Sequence, residues 1–160
     1  MKIRGLIEED FVNYEKPSMF IITPYCDFKC CKEAGNEICQ NLDVVKEPII
    51  EIDEEALIRK YLGNPITKSI VFGGLEPFYG GTFDELYLFV SKLRIEYKCF
   101  DPVVIYTGYY KEEIENMIEK LSKFSRIIVK FGRFIPDQKE HYDPVLGVML
   151  ASDNQYAVVL

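Results

Sequence analysis

Four short stretches of the chain are apolar throughout and rich in β-branched or aromatic residues. They are Met19-Phe20-Ile21-Ile22, Ile70-Val71-Phe72, Val103-Val104-Ile105-Tyr106 and Ile127-Ile128-Val129. None alternates with polar residues, so each reads as a strand buried on both faces, as in a parallel sheet. Helical patterns lie between them. Asp53-Glu54-Glu55-Ala56-Leu57-Ile58-Arg59-Lys60-Tyr61-Leu62 starts on a capping residue and stops at Gly63-Asn64-Pro65. Thr82-Phe83-Asp84-Glu85 has the form of a capping box, and behind it Leu86, Phe89, Val90, Leu93 and Tyr97 share one helical face. From Lys111 onward, Ile114, Met117, Ile118, Leu121 and Phe124 make a third apolar stripe. Tyr156-Ala157-Val158-Val159 offers a further strand.

Strand, long loop, helix, strand, helix, strand, helix, strand is the order of βαβ units. A closed eight-stranded (β/α) barrel needs about 200 residues or more, and this chain has 160. The expected fold is therefore α/β, an open, partial (β/α) barrel with a mainly parallel sheet, formed as one domain over residues 1–160. The least regular segments are 24–48 and 132–155.

Composition narrows the function classes. The formal net charge is −7, with acidic residues spread along the chain, which argues against a nucleic-acid partner. No apolar run is long enough to span a membrane. Met1-Lys2-Ile3-Arg4 leads into an acidic stretch rather than an apolar one, so a cytoplasmic location is expected. Five cysteines is an odd number, and four of them fall within residues 26–39. In a reducing compartment such a cluster points to metal binding or catalysis rather than to disulfides. Cys99 stands apart and reads as a small packing residue.

In parallel α/β folds, sites form where the strands end. The cysteine cluster follows the first strand. Gly73-Gly74-Leu75-Glu76-Pro77 follows the second, Thr107-Gly108-Tyr109 the third and Lys130-Phe131-Gly132-Arg133 the fourth. A parallel sheet brings all four to one rim. Cys26 and Cys30 are separated by three residues, and Cys39 returns after eight more. Soft thiolates select zinc, copper(I) or iron–sulfur clusters. Spacing alone leaves iron–sulfur, zinc and unliganded packing open. Gly73-Gly74 directly after a strand permits close approach to a ligand.

With these motifs in order, the chain resembles a radical S-adenosylmethionine (SAM) enzyme, and most of all the activating proteins of anaerobic ribonucleotide reductase. Cys26, Cys30 and Cys39 with Gln40-Asn41 resemble the family's Cys-x3-Cys-x2-Cys-x-Asn loop, with an insertion before the third cysteine. Glu33 stands where the family spacing puts that cysteine, and Cys31 is the competing candidate for its role. Gly73-Gly74-Leu75-Glu76-Pro77 resembles Gly-Gly-Glu-Pro with one extra residue. Tyr106-Thr107-Gly108-Tyr109 matches Tyr-Thr-Gly-Tyr. Gly132-Arg133-Phe134 and Ser152-Asp153-Asn154-Gln155 resemble the family's closing motifs. Asn13-Tyr14-Glu15-Lys16-Pro17 departs from the glycine-rich stretch usual there.

The resemblance implies a [4Fe–4S] cluster on Cys26, Cys30 and Cys39, with SAM on the fourth iron. Gly73, Gly74 and Glu76 would hold the methionine amino group. Thr107, Gly108 and Ile38 would lie along the ribose and adenine, with Asn41 and Arg133 completing the cofactor-binding set. It further implies reductive cleavage of SAM to a 5′-deoxyadenosyl radical, flavodoxin or ferredoxin as electron donor, and a glycyl-radical enzyme, anaerobic ribonucleotide reductase, as partner. Two alternatives stand beside it: a radical SAM enzyme acting on a small molecule or peptide, and a non-enzymatic zinc-binding module. Lys130 and Asn154 read equally well as functional and as ordinary residues, and His141 reads as a solvated loop residue.

Overall fold

The apolar runs pair in parallel, and their register decides where the core forms. A computed structural model describes residues 1–160. The strands are β1 (Lys2–Ile3), β2 (Gly5–Asp10), β3 (Ser18–Ile22), β4 (Ile50–Glu51), β5 (Ser69–Gly73), β6 (Val103–Tyr106), β7 (Ile127–Phe131), β8 (His141–Asp143), β9 (Val148–Leu150) and β10 (Tyr156–Val159). The helices are α1 (Lys29–Ala34), α2 (Glu54–Gly63), α3 (Thr82–Ile95) and α4 (Glu115–Leu121), with short 3-10 turns at Leu42–Lys46 and Lys111–Glu113. The central sheet has six strands in the order β10-β7-β6-β5-β3-β2. Its middle four are parallel, and β2 and β10 close the edges in antiparallel pairing. The architecture is thus α/β with a mostly parallel open sheet.

Because side chains alternate across a strand, neighbouring rows go to opposite faces. Ile21, Phe72, Ile105 and Val129 are aligned across the four strands and enter the core beneath α2, α3 and α4. The next row, Phe20, Val71, Val104 and Ile128, enters a second core on the other face. That face is covered by Tyr14 from the β2–β3 turn and by Leu146 and Leu150 from the β8–β9 hairpin. Buried Asp143 fastens the hairpin: one carboxylate oxygen accepts from the amides of Val145 and Leu146, the other from Ala157 on β10. Two covered faces explain why the strand runs carry no polar alternation.

Asp53 caps α2 as expected, its carboxylate accepting from the Ala56 amide. Cys99 packs against the main core, and the buried Arg94 guanidinium donates to the carbonyls of Cys99, Asp101 and Ser125. Three local expectations are corrected. Thr82 is not a cap: Gly81, at φ 84°, occupies that position, and Thr82 is the first helical residue with its hydroxyl buried and unpartnered. The stripe from Lys111 is not one helix, since Ile114 at φ −133° separates the 3-10 turn from α4. His141 is not a loop residue; it opens β8 half-buried, with Nδ1 enclosed and without a partner.

Candidate functional site

The carboxyl ends of β3, β5, β6 and β7 surround one cavity of about 450 Å3, within the range of small-molecule sites. Its wall carries Cys26, Cys30, Cys39 and Asn41 from the cysteine loop, Gly74 and Glu76 from the loop after β5, Thr107 and Gly108 from the loop after β6, and Lys130 and Arg133 from β7 and its loop. Phe20, Ile22, Phe134, Val148 and Leu150 supply apolar surface. Gly73 and Ile38 stand outside the lining. Gly73 ends β5 and its carbonyl accepts from both the amide and the hydroxyl of Thr23, while the Ile38 amide turns back to the Asn36 carbonyl. Asn154 also lies outside, donating to the Arg133 carbonyl at 2.9 Å with its own Oδ1 buried and unpaired.

Glu76 is the polar centre. It is 4 % exposed and uses both oxygens: Oε1 accepts from the Thr107 hydroxyl at 2.6 Å and the Phe78 amide at 3.2 Å, and Oε2 from the Gly108 amide at 2.9 Å. Burial pushes its carboxyl up to about 7, although those three donors pull the other way. Lys130, at the end of β7, is 6 % exposed and donates to the Gly132 carbonyl at 2.8 Å. Burial draws its ammonium down to about 8, opposed by the charge of Glu76. The cavity thus holds one buried carboxylate and one buried ammonium without a direct bond between them.

Gly74 explains its own presence. It has φ +80°, and a Cβ there would lie 2.8 Å from Ile22 Cγ2. Only glycine takes this turn without strain and without pushing on the wall. A Cβ on Gly108 would lie 3.6 Å from Glu76 Oε2.

The three cysteines expected to act together do share this wall. Cys31 is outside it, its sulfur 3.9 Å from that of Cys30. Backbone amides point at two of the sulfurs, Phe28 N–H to Cys26 at 3.3 Å and Asn41 N–H to Cys39 at 3.4 Å. The Cys26 and Cys30 thiols are both pushed up to about 12, chiefly by burial; Cys39 is the next cause at Cys30 and a lesser one at Cys26. No three of the His, Cys, Asp and Glu side chains are gathered as a ready ligand set for a metal ion.

A polar network borders the cysteines that the spacing of residues did not reveal. Tyr109 donates its hydroxyl to Asp27 at 2.9 Å. Glu113 Oε1 accepts from Lys29 at 2.9 Å and from Arg133 at 2.6 Å. Arg133 Nε lies 3.1 Å from Glu33. The Glu113 carboxyl is held down to about 2, chiefly by Arg133. Glu113 and Asp27 carried no signal in the sequence. Lys130 did: it is a lone charge inside the apolar run Ile127–Phe131.

No helix is long and apolar enough to cross a membrane. No family model, no curated protein and no solved structure matches this chain.

Proposed function

We propose that this is a radical SAM enzyme, with a [4Fe–4S] cluster on Cys26, Cys30 and Cys39, that generates a glycyl radical on a partner enzyme, anaerobic ribonucleotide reductase. The observation that carries the reading is the meeting of three separate thiols, a buried carboxylate and a buried ammonium around a single cavity at the strand ends. The donor types suit the groups, with the three thiols lining one cavity although they are not drawn together as a ready ligand set. Soft thiolates are the ligands of iron–sulfur clusters, and amide donors to Cys26 and Cys39 suit sulfurs that carry charge. The amino-acid end of SAM is a zwitterion, and Glu76 and Lys130 are complementary to its ammonium and carboxylate. When bound, the cluster supplies one electron for reductive cleavage of the sulfonium C–S bond, with flavodoxin or ferredoxin as the source.

The chain's own residues bind and orient. Glu76 is held rigidly by Thr107, Gly108 and Phe78, so it meets a ligand ammonium without reorganising. Gly74 leaves the backbone bare beside it. Thr107 and Gly108, fixed by the same carboxylate, form the floor for the rest of the ligand. Phe20, Ile22 and Leu150 give the cavity an apolar wall.

Mixing the cluster-loaded protein with anaerobic ribonucleotide reductase, SAM and a reductant without oxygen is expected to give a glycyl-radical EPR signal. SAM cleavage without that signal would move the substrate to a small molecule or peptide. A colourless protein holding one zinc and no iron would replace the reading with a zinc-binding module.

A further inference from the structure

Residues 24–49 contribute no side chain to either hydrophobic core, and α1, which carries Cys30, buries none of its residues. Something other than apolar packing must hold this helix against the cavity. Glu113 and Arg133 are placed to do so. Arg133 is 4 % exposed, and its guanidinium stacks 4.7 Å from the Tyr110 ring centroid. Glu113 is fixed from behind by the Tyr110 amide, which donates to Oε2 at 2.8 Å. From this anchored pair two bridges reach α1: Glu113 to Lys29, the residue before Cys30, and Arg133 to Glu33, one turn further on. Lys29 also lies over the Tyr109 ring, 4.5 Å from its centroid.

We propose that the Arg133–Glu113 pair is an electrostatic clamp that holds the cysteine helix at the cavity, making Glu113, Arg133, Lys29 and Glu33 positioning residues for Cys30. Its importance for cluster binding rests on the reading above, but the clamp itself can be tested without any cluster. The inner end is the buried Arg133, 4 % exposed at its side chain, paired with Glu113, 28 % exposed. The outer end, Lys29 and Glu33, is 40 % and 59 % exposed at its side chains and is open to screening by salt.

The test is alkylation of the metal-free, reduced protein, with the rate at each cysteine resolved by peptide mass spectrometry. Lys29→Gln combined with Glu33→Gln, two surface changes that leave the cores intact, is expected to speed labelling of Cys30 and Cys31 about fivefold and to leave Cys99 unchanged. Glu113→Gln is expected to do the same or more, high salt to reproduce part of the effect in the wild type, and Lys29→Arg to keep the wild-type rate. Unchanged Cys30 labelling in the double variant would overturn the clamp, as would equal acceleration at Cys99, which marks general loosening. Iron and sulfide loading of the same proteins separates the two ideas: a wild type that takes up no cluster sinks the proposed function, whereas the labelling pattern alone decides the clamp.

Discussion

Thr107 donates its hydroxyl to Glu76 at 2.6 Å and thereby ties the loop after β6 to the loop after β5. The same hydroxyl oxygen accepts from the Tyr109 amide, so one side chain sets both the carboxylate and the turn beside it.

Thr107→Val keeps the shape and removes that bond. It leaves two buried groups short of a partner, at a cost of about 1–3 kcal/mol to folding. Loss of a donor also raises the Glu76 carboxyl further above its position of about 7. The loss of calorimetric SAM affinity relative to wild type at the same pH is therefore expected to be largest at neutral pH and smaller at pH 9, where the Glu76 carboxylate is ionised in both proteins. Thr107→Ser should stay near wild type. A loss independent of pH would separate Thr107 from the charge of Glu76.

Glu76 and Lys130 give the ligand-free protein a distinctive pH profile. Between about 4.5 and 7 the folded state holds a proton on Glu76 that the unfolded chain has lost, so stability falls as pH rises. Between about 8 and 10.5 the unfolded chain holds a proton on Lys130 that the folded state has lost, so stability rises with pH. The two contributions place a trough near pH 7–8, on the order of 3 kcal/mol deep for each group. Denaturant titrations across pH check this. Glu76→Gln should flatten the acid limb and Lys130→Met the alkaline one.

Gly74→Ala places a methyl group where Ile22 already stands and forces a positive φ on alanine. A destabilisation of about 1–3 kcal/mol is expected, together with loss of SAM binding, read by thermal unfolding and calorimetry. An unperturbed variant would mean that this turn is free to relax.

Cys39→Ala should abolish iron and sulfide uptake, and Cys31→Ala should preserve it. Cys39 lines the cavity beside Cys26 and Cys30, whereas Cys31 does not. The reverse pattern would reassign the third ligand.

The central sheet was legible because its strands are buried on both faces and so wrote uninterrupted apolar runs into the sequence. The edges were not. β2 is exposed over Glu8 and Glu9, and β8 and β9 are three residues each, too short to show a period. The α3 boundary was misplaced because a glycine in the left-handed region does at Gly81 what a threonine cap was expected to do. At the site, convergence of four loops followed from parallel pairing alone, so Cys26, Gly74, Thr107 and Arg133 could be brought together in advance. The ion pairs of Glu113 could not, since they join Lys29 to a partner 84 residues away and leave no local pattern.

The central claim is tested most directly by incubating the air-free, iron- and sulfide-loaded protein with SAM and a low-potential reductant and measuring 5′-deoxyadenosine. The account predicts its formation by the wild type and its loss in Cys26→Ala, Cys30→Ala and Cys39→Ala. A protein that loads iron fully yet yields none, or one whose yield survives loss of any of these thiols, would contradict it.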